Sequence, residues 1–389
     1  MDAPQLSALL EQTGTPAYVF QMDEFAARAQ AVREAFTDRI GLCFSIKANA
    51  FLLKHLPAQF DRIEVCSPGE LTICEKTGQD MEKVIFSGVN KTAPDVARAI
   101  SDNVGVLTAE SLLHVRLIND EALRQGKRVR LLLRLTAGSQ FGMDEAEVLS
   151  TVETREQLPG VDIIGLHFFS GTQKRKLSVI EKELAYLDEF CTRVREQTGF
   201  SLRCVEYGTG LGVEYFKPDY QDIELDRLQQ VSVPLRAFAE KYALTVEMGR
   251  FFAAPCGYYL TKVIDCKTNK GVRYAILDGG LHQLKYDGQL QGMQIPPILH
   301  LDAEDRLQED KWTLCGSLCT TADVIARDVP LRELRMGDVL AFCRTGAYSV
   351  TEGMANFLSR ELPSVTLVSQ EHGAETVRPI LATDIFNTP

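Results

Sequence analysis

Eight short apolar runs, each followed by a stretch of helical periodicity, restrict this chain to very few folds. The runs are LCFSIK (42–47), IEVCS (63–67), VIFSG (84–88), VGVLTAE (104–110), VRLLLRL (129–135), IIGLHFF (163–169), CVEYG (204–208) and LTVEMG (244–249). Runs of this length, apolar nearly throughout, suit strands buried on both faces. Between them lie amphipathic stretches such as SLLHVRLINDEALRQG (111–126) and SVIEKELAYLDEFCTRVREQTG (178–199). The latter carries Ser178 and Glu181 at S-x-x-E spacing, which predicts a helix capped by Ser178. Eight strand–helix repeats predict a parallel (β/α)8 barrel; an open doubly wound sheet would show the same alternation.

After residue 255 the texture changes. YYLTKVIDCKT, VRYAILDGG, KWTLCGS, DVLAFCR and SVTLVSQ read as strands with turns and little helix. They predict a separate antiparallel β domain. The expected layout is a barrel over 21–255 and a C-terminal β domain over 256–389; residues 1–20, which hold the short strand TPAYVF, can join either. Lys and Arg number 42 against 53 Asp and Glu, a net charge of −11. No basic block offsets it, which argues against a nucleic-acid partner. No stretch approaches the roughly 18 apolar residues that span a membrane. The start, MDAPQLSALLEQTG, lacks the pattern of a secretory signal. The ten cysteines include no C-x-x-C pair, so reduced thiols, a cytoplasmic setting and no metal site are expected.

A barrel carries its chemistry at the C-terminal ends of its strands. Lys47 ends the first strand; Glu64 and the SPGE turn with Glu70 end the next. His167, Phe169 and SGTQ end the sixth, YGTGLG with Gly208, Gly210 and Gly212 the seventh, and EMGR with Glu247 and Arg250 the eighth. Alternation turns Cys43, Ser45 and Lys47 to one side. A lysine facing inward is costly unless it is paired, neutralised or covalently used. The glycine loop leaves backbone N–H groups able to face a phosphate, although alone it is equally a tight turn. A lysine, a phosphate cradle and a carboxylate across one barrel mouth point to pyridoxal 5′-phosphate. Lys47 would form the Schiff base, the glycine loop hold the phosphate, and Glu247 keep the pyridine nitrogen protonated. Singly, Lys47 also reads as a lysine snorkelling to water and Glu247 as an ion-pair partner of Arg250.

These residues resemble the fold type III decarboxylases, the group of diaminopimelate, ornithine and arginine decarboxylases. The pieces that carry the resemblance are SIKAN (45–49), EVCSPGEL (64–71), QFGMDE (140–145), GLHFFSGTQ (165–173), YGTGLGV (207–213), EMGR (247–250), LCTTAD (318–323) and GAYSVTE (346–352). They follow the family's order and spacing over nearly the whole chain. The resemblance implies an alanine-racemase-like barrel with a C-terminal β domain, and a head-to-tail homodimer with shared active sites. It implies Lys47 as the Schiff-base lysine and Glu247 as the pyridine-nitrogen partner. Glu64 is expected beside the cofactor, and Gly210, Gly212, Gly249 and Arg250 on its phosphate side. Thr172 stands where a phosphate-binding serine is common, and Tyr348 where a tyrosine helps close the phosphate site. Cys319 matches the acid that reprotonates the decarboxylated carbon from the partner subunit. A thiol with an ordinary pKa of about 8.5 can hold that proton at neutral pH.

The departures concern the substrate. Phe169 stands where the family often places a histidine over the cofactor ring; it can stack but not donate a hydrogen bond. His167, two residues earlier, is expected behind it. Thr320 follows Cys319 where many relatives carry Glu or Asp for a distal ammonium, and threonine offers no charge. The Arg-Pro pair that grips a distal carboxylate is missing, with Tyr286 near the expected arginine. Both handles for diaminopimelate are altered. The expected activity is pyridoxal-phosphate-dependent decarboxylation of an α-amino acid, modified or tethered to a carrier protein, in a specialised pathway. Alternatives are a diaminopimelate decarboxylase of lysine biosynthesis, a racemase on the same fold, and a non-catalytic cofactor-binding protein. Glu247 weighs against the racemase, which tends to place an arginine at the ring nitrogen. The β domain weighs against the last, because such proteins lack it.

Overall fold

The computed structural model describes residues 1–217, 219–303 and 308–389. The chain divides into two compact units. One comprises Arg28–Gly212 and Asp222–Phe251; the other comprises Met1–Ala27, Val213–Gln221 and Phe252–Pro389.

In the first unit eight parallel strands close into a barrel: Ile40–Ser45, Arg62–Val65, Val84–Phe86, Val106–Ala109, Val129–Arg134, Val161–Phe169, Cys204–Gly208 and Ala243–Met248. The eighth strand pairs with the first, Cys43 opposite Glu247 and Phe44 opposite Met248, so the sheet is closed rather than open. All eight apolar runs are strands. Lys47 lies just past its strand, in the 3-10 turn Ile46–Ala48. Buried Cys43, Ile85, Val106 and Leu132 pack together as an apolar floor inside the barrel. Ser45, Glu64, His167 and Glu247 stand further along their strands, toward the C-terminal mouth.

Helices connect the strands. Leu112–Arg124 is capped by Ser111, whose side chain accepts from the His114 N–H. Leu177–Thr198 starts one residue before Ser178 and has no side-chain cap. Ser178 therefore lies inside the first turn, and the capping-box expectation is not met there. Among the described residues no helix is long and apolar enough to cross a membrane.

The other unit is built on a sheet with nine strands among the described residues. Its main order is Val324–Arg332, Glu309–Cys315, Val272–Leu277, Gly257–Asn269, Ala17–Gln21, Ser364–Ser369 and Gly373–Arg378; Val339–Cys343 pairs with Gly257–Asn269, and Ile298–His300 with Val339–Cys343. Most pairs are antiparallel, as expected, but two are parallel. Ala17–Gln21 runs parallel to Ser364–Ser369, and Val272–Leu277 to Glu309–Cys315. Neither pair is joined by a tight hairpin, and a long connection permits a parallel pairing. Leu6, Val19, Leu260 and Ala341 belong to the core of this unit.

Candidate active site

The barrel strands bring Lys47, Glu64 and Glu247 to one point. Lys47 Nζ lies 2.7 Å from Glu64 Oε2 and 3.2 Å from Glu247 Oε1. Glu64 and Glu247 are both buried, and buried carboxylates need partners. Ser45 Oγ donates to Glu247 Oε1 at 2.6 Å, and His167 Nε2 faces Glu247 Oε2 at 3.1 Å. Burial alone would raise the Glu247 pKa. Lys47, His167 and Ser45 outweigh it and hold the carboxyl well below the usual carboxylate range. Burial also works against charge on Lys47, but Glu247 and Glu64 reverse this and raise its pKa, so its ammonium is firmly held.

The glycine loop lies at the same mouth. Gly210 has φ +58°, and a Cβ there would sit 1.9 Å from the Gly171 carbonyl oxygen, so only glycine fits without a shift. The Gly210 carbonyl accepts from Lys174 N at 2.8 Å, and Gly212 N donates to the Lys174 carbonyl at 2.9 Å. The two loops that carry Thr172 and Gly210 are thus tied together, with Thr172 exposed beside Gly210. Phe169 packs on Gly208, where a Cβ would come within 2.5 Å of the ring. A Cβ on Gly249 would meet Ala48 at 2.8 Å, and Arg250 follows as the first residue of the short helix Arg250–Ala253. Phe169, Thr172, Gly210, Gly212, Gly249 and Arg250 therefore share the C-terminal strand ends with Lys47.

Cys66 and Glu206 belong to this cluster although sequence reasoning did not single them out. Cys66 Sγ donates to Glu64 Oε1 at 2.8 Å and lies 3.6 Å from Lys47 Nζ. Its backbone N–H donates to Glu70 Oε2 at 2.6 Å. Two residues past Glu64, Cys66 shares that residue's face, a signal that period-two alternation carries. Glu206 is 2% exposed, and neither carboxyl oxygen has a well-formed hydrogen bond among the described residues. Burial, with Glu247 and Glu64 adding to it, raises its pKa well above the usual range; Lys47 and the Cys43 thiol offset this only in part. Glu206, two residues before Gly208, therefore holds its proton to higher pH than an ordinary carboxyl.

The other site residues lie in the sheet unit. Cys319 and Thr320 are exposed on the turn after Glu309–Cys315. Buried Asp323 fixes the root of that turn: Oδ2 accepts from Leu318 N at 2.8 Å and Oδ1 from Leu281 N at 2.8 Å. Gly316 and Gly280 permit this, since a Cβ on either would lie under 3.0 Å from the carboxylate. Tyr286 is buried, donates its hydroxyl to the Cys343 carbonyl at 2.6 Å, and meets Tyr215 edge-on at 5.4 Å. Tyr348 has φ +68°, and its carbonyl accepts from Glu352 N.

Comparison with known proteins gives the following. Residues 22–254 match the family model described as pyridoxal-dependent decarboxylase, pyridoxal binding domain. The chain is 26% identical to L-glutamyl-BtrI acyl-carrier protein decarboxylase of Niallia circulans, over 97% of this chain and 94% of that one. It is 26% identical to diaminopimelate decarboxylase of Aquifex aeolicus, over 90% of this chain and 85% of that one. Among solved structures, diaminopimelate decarboxylase of Methanocaldococcus jannaschii has the same fold, with a TM-score of 0.86, 23% identity and coverage of 97% and 92%.

Proposed function

The chain belongs to the pyridoxal-dependent decarboxylases, and from that premise we propose a substrate class and a role for each residue. It decarboxylates an amino acid. The observation that carries the assignment of roles is Lys47 Nζ held between the Glu64 and Glu247 carboxylates. Pyridoxal 5′-phosphate fits the residues present. The Gly210 turn is a backbone cradle with no room for a side chain, and Glu247 is an ionised carboxylate with its orientation fixed on both oxygens.

In this reading Lys47 is the amine that bonds the cofactor aldehyde, with Glu64 holding it in place. Glu247 would keep the ring nitrogen protonated, with His167 and Ser45 holding Glu247 in orientation, and Phe169 would offer its ring to the cofactor. Gly210, Gly212, Gly249 and Arg250 would hold the phosphate, with Thr172 and Tyr348 as further groups for it. Bound there, the cofactor supplies an electron sink for the pair left at Cα when CO2 departs. The working unit is a homodimer, and Cys319 of the partner subunit delivers the proton that the carbon takes up.

The substrate is an α-amino acid whose far end carries no charge, either modified or tethered to a carrier protein. Two features support this. Thr320 beside Cys319 offers no charge for a distal ammonium, and Tyr286, with its hydroxyl engaged by Cys343, offers no cation for a distal carboxylate. The carrier-protein relative is consistent with it. Diaminopimelate decarboxylation is the competing reading, favoured by the likeness to enzymes of that name.

Lys47→Ala should abolish turnover and the visible absorbance of the bound cofactor; a normal spectrum in that variant would overturn the role of Lys47. Substrate class is tested by mass spectrometry of a pool of free, modified and carrier-linked amino acids. A CO2-loss product from free diaminopimelate would favour the competing reading, and one from an uncharged-ended substrate the reading proposed.

A further inference from the structure

Three side chains at the barrel mouth form a chain of contacts: Cys66 to Glu64 to Lys47. The Glu64 carboxylate has two oxygens and divides them. Oε2 faces the Lys47 ammonium at 2.7 Å, while Oε1 accepts from the Cys66 thiol at 2.8 Å. The thiol itself lies 3.6 Å from Lys47 Nζ. Burial and the neighbouring carboxylate push the Cys66 pKa up, so Cys66 stays a thiol and a donor. Its own position is fixed, because its backbone N–H is bonded to Glu70. The charged and titratable groups facing this chain are Glu64, Glu70, Glu247, Glu206, Lys91 and Cys43; only the thiol donates to Glu64 Oε1 among the described contacts.

We propose that Cys66 is a positioning residue for Lys47: by occupying Glu64 Oε1 it limits how much of that carboxylate faces the ammonium, and so sets the pH at which Lys47 becomes a free amine able to bond the cofactor aldehyde. The physical argument is competition for one anion. A carboxylate that accepts another hydrogen bond is better stabilised and pulls less on its other partner's proton. Remove the thiol, and the freed oxygen is left buried without a donor. It then turns its full charge to the ammonium, and Lys47 holds its proton to higher pH. An amine joins an aldehyde carbon with loss of the aldehyde oxygen as water, and a lysine that must first lose a proton is slowed in proportion. The inference rests on Lys47 being the cofactor lysine.

The test uses the full-length protein stripped of cofactor. The rate of pyridoxal 5′-phosphate uptake is followed by its absorbance across a pH series, for wild type, Cys66→Ser, Cys66→Val and Cys66→Ala. Serine keeps a donor, valine keeps the bulk without one, and alanine keeps neither. The expected result is that Ala and Val both move the midpoint of the rate profile up by about one pH unit, a roughly tenfold slower uptake at neutral pH, and that Ser retains the wild-type midpoint. Midpoints unchanged in Ala and Val would overturn the proposal and leave Cys66 a packing residue. A shift in Ser equal to that in Ala would also overturn it, since the donor would then not be what matters. Failure of wild type itself to take up the cofactor would instead count against the assignment of Lys47.

Discussion

Glu206 and Glu247 are glutamates on neighbouring barrel strands, both buried, with pKa values pushed in opposite directions. Lys47, His167 and Ser45 hold the Glu247 pKa down; Glu206 has no such set, and burial pushes its pKa up. This difference has a measurable sign. A carboxyl whose folded pKa is raised binds more protons folded than unfolded, so stability is present at low pH and is lost as pH rises from the ordinary carboxylate range toward the raised value. Glu206→Gln, neutral at every pH, removes that loss. Its unfolding free energy should exceed wild type by an amount that grows from pH 5 to pH 8, by at most about 1.4 kcal/mol per pH unit. Denaturant unfolding at a series of pH values checks this; a difference that does not change with pH would mean that Glu206 is ionised. Lys47 and Glu247 were legible in the sequence because each ends an apolar strand, where a charge is conspicuous. Glu206 and Cys66 were not. Glu206 sits within CVEYG, where a strand glutamate also reads as half exposed. Cys66 is one small thiol among ten until the fold sets Glu64 beside it.

At the scale of elements, the loop after the seventh barrel strand shows how one backbone conformation supports a site. Gly210 takes φ +58° against Gly171, and its carbonyl anchors Lys174. Gly210→Ala should strain this turn by about 1–3 kcal/mol. If the strain falls on the cofactor-bound form, the Kd for pyridoxal 5′-phosphate rises roughly five- to 150-fold, measurable by fluorescence titration. The barrel strands could be read from sequence because strands buried on both faces are apolar throughout. Three strands of the sheet unit could not, the short Ile298–His300 among them. Val324–Arg332 and Gly373–Arg378 lie at the two ends of the main strand order; the former carries Pro330 and the latter the half-buried charges Glu375 and Arg378, as edge strands often do. Their polarity disguises them as loops. Ser178 misled for a different reason: its spacing to Glu181 is that of a capping box, but the helix starts earlier, at Leu177.

For the whole molecule, Lys47 and Cys319 belong to different compact units. If each active site joins Lys47 of one subunit to Cys319 of the other, two inactive variants should rescue each other. Unfolding and refolding Lys47→Ala together with Cys319→Ala should restore roughly a quarter of wild-type decarboxylation, because half of the dimers are hybrids and each hybrid has one intact site. No recovery would indicate that both residues act within one subunit. The division into units was only partly legible. Val213–Gln221, directly after the glycine loop, belongs to the sheet unit, and nothing in its composition marks the change. The anchoring of the Cys319 turn by Asp323 bears on how long an enzyme of this kind would survive its own chemistry. If Cys319 is the proton donor, a thiol out of place would deliver its proton to the wrong atom, leaving the protein intact but in need of fresh cofactor. In that case a turn held at its root by one carboxylate would keep the thiol in place, and Asp323 would protect durability more than speed. Asp323→Ala should begin near the wild-type rate, fade within a progress curve, and revive when fresh pyridoxal 5′-phosphate is added.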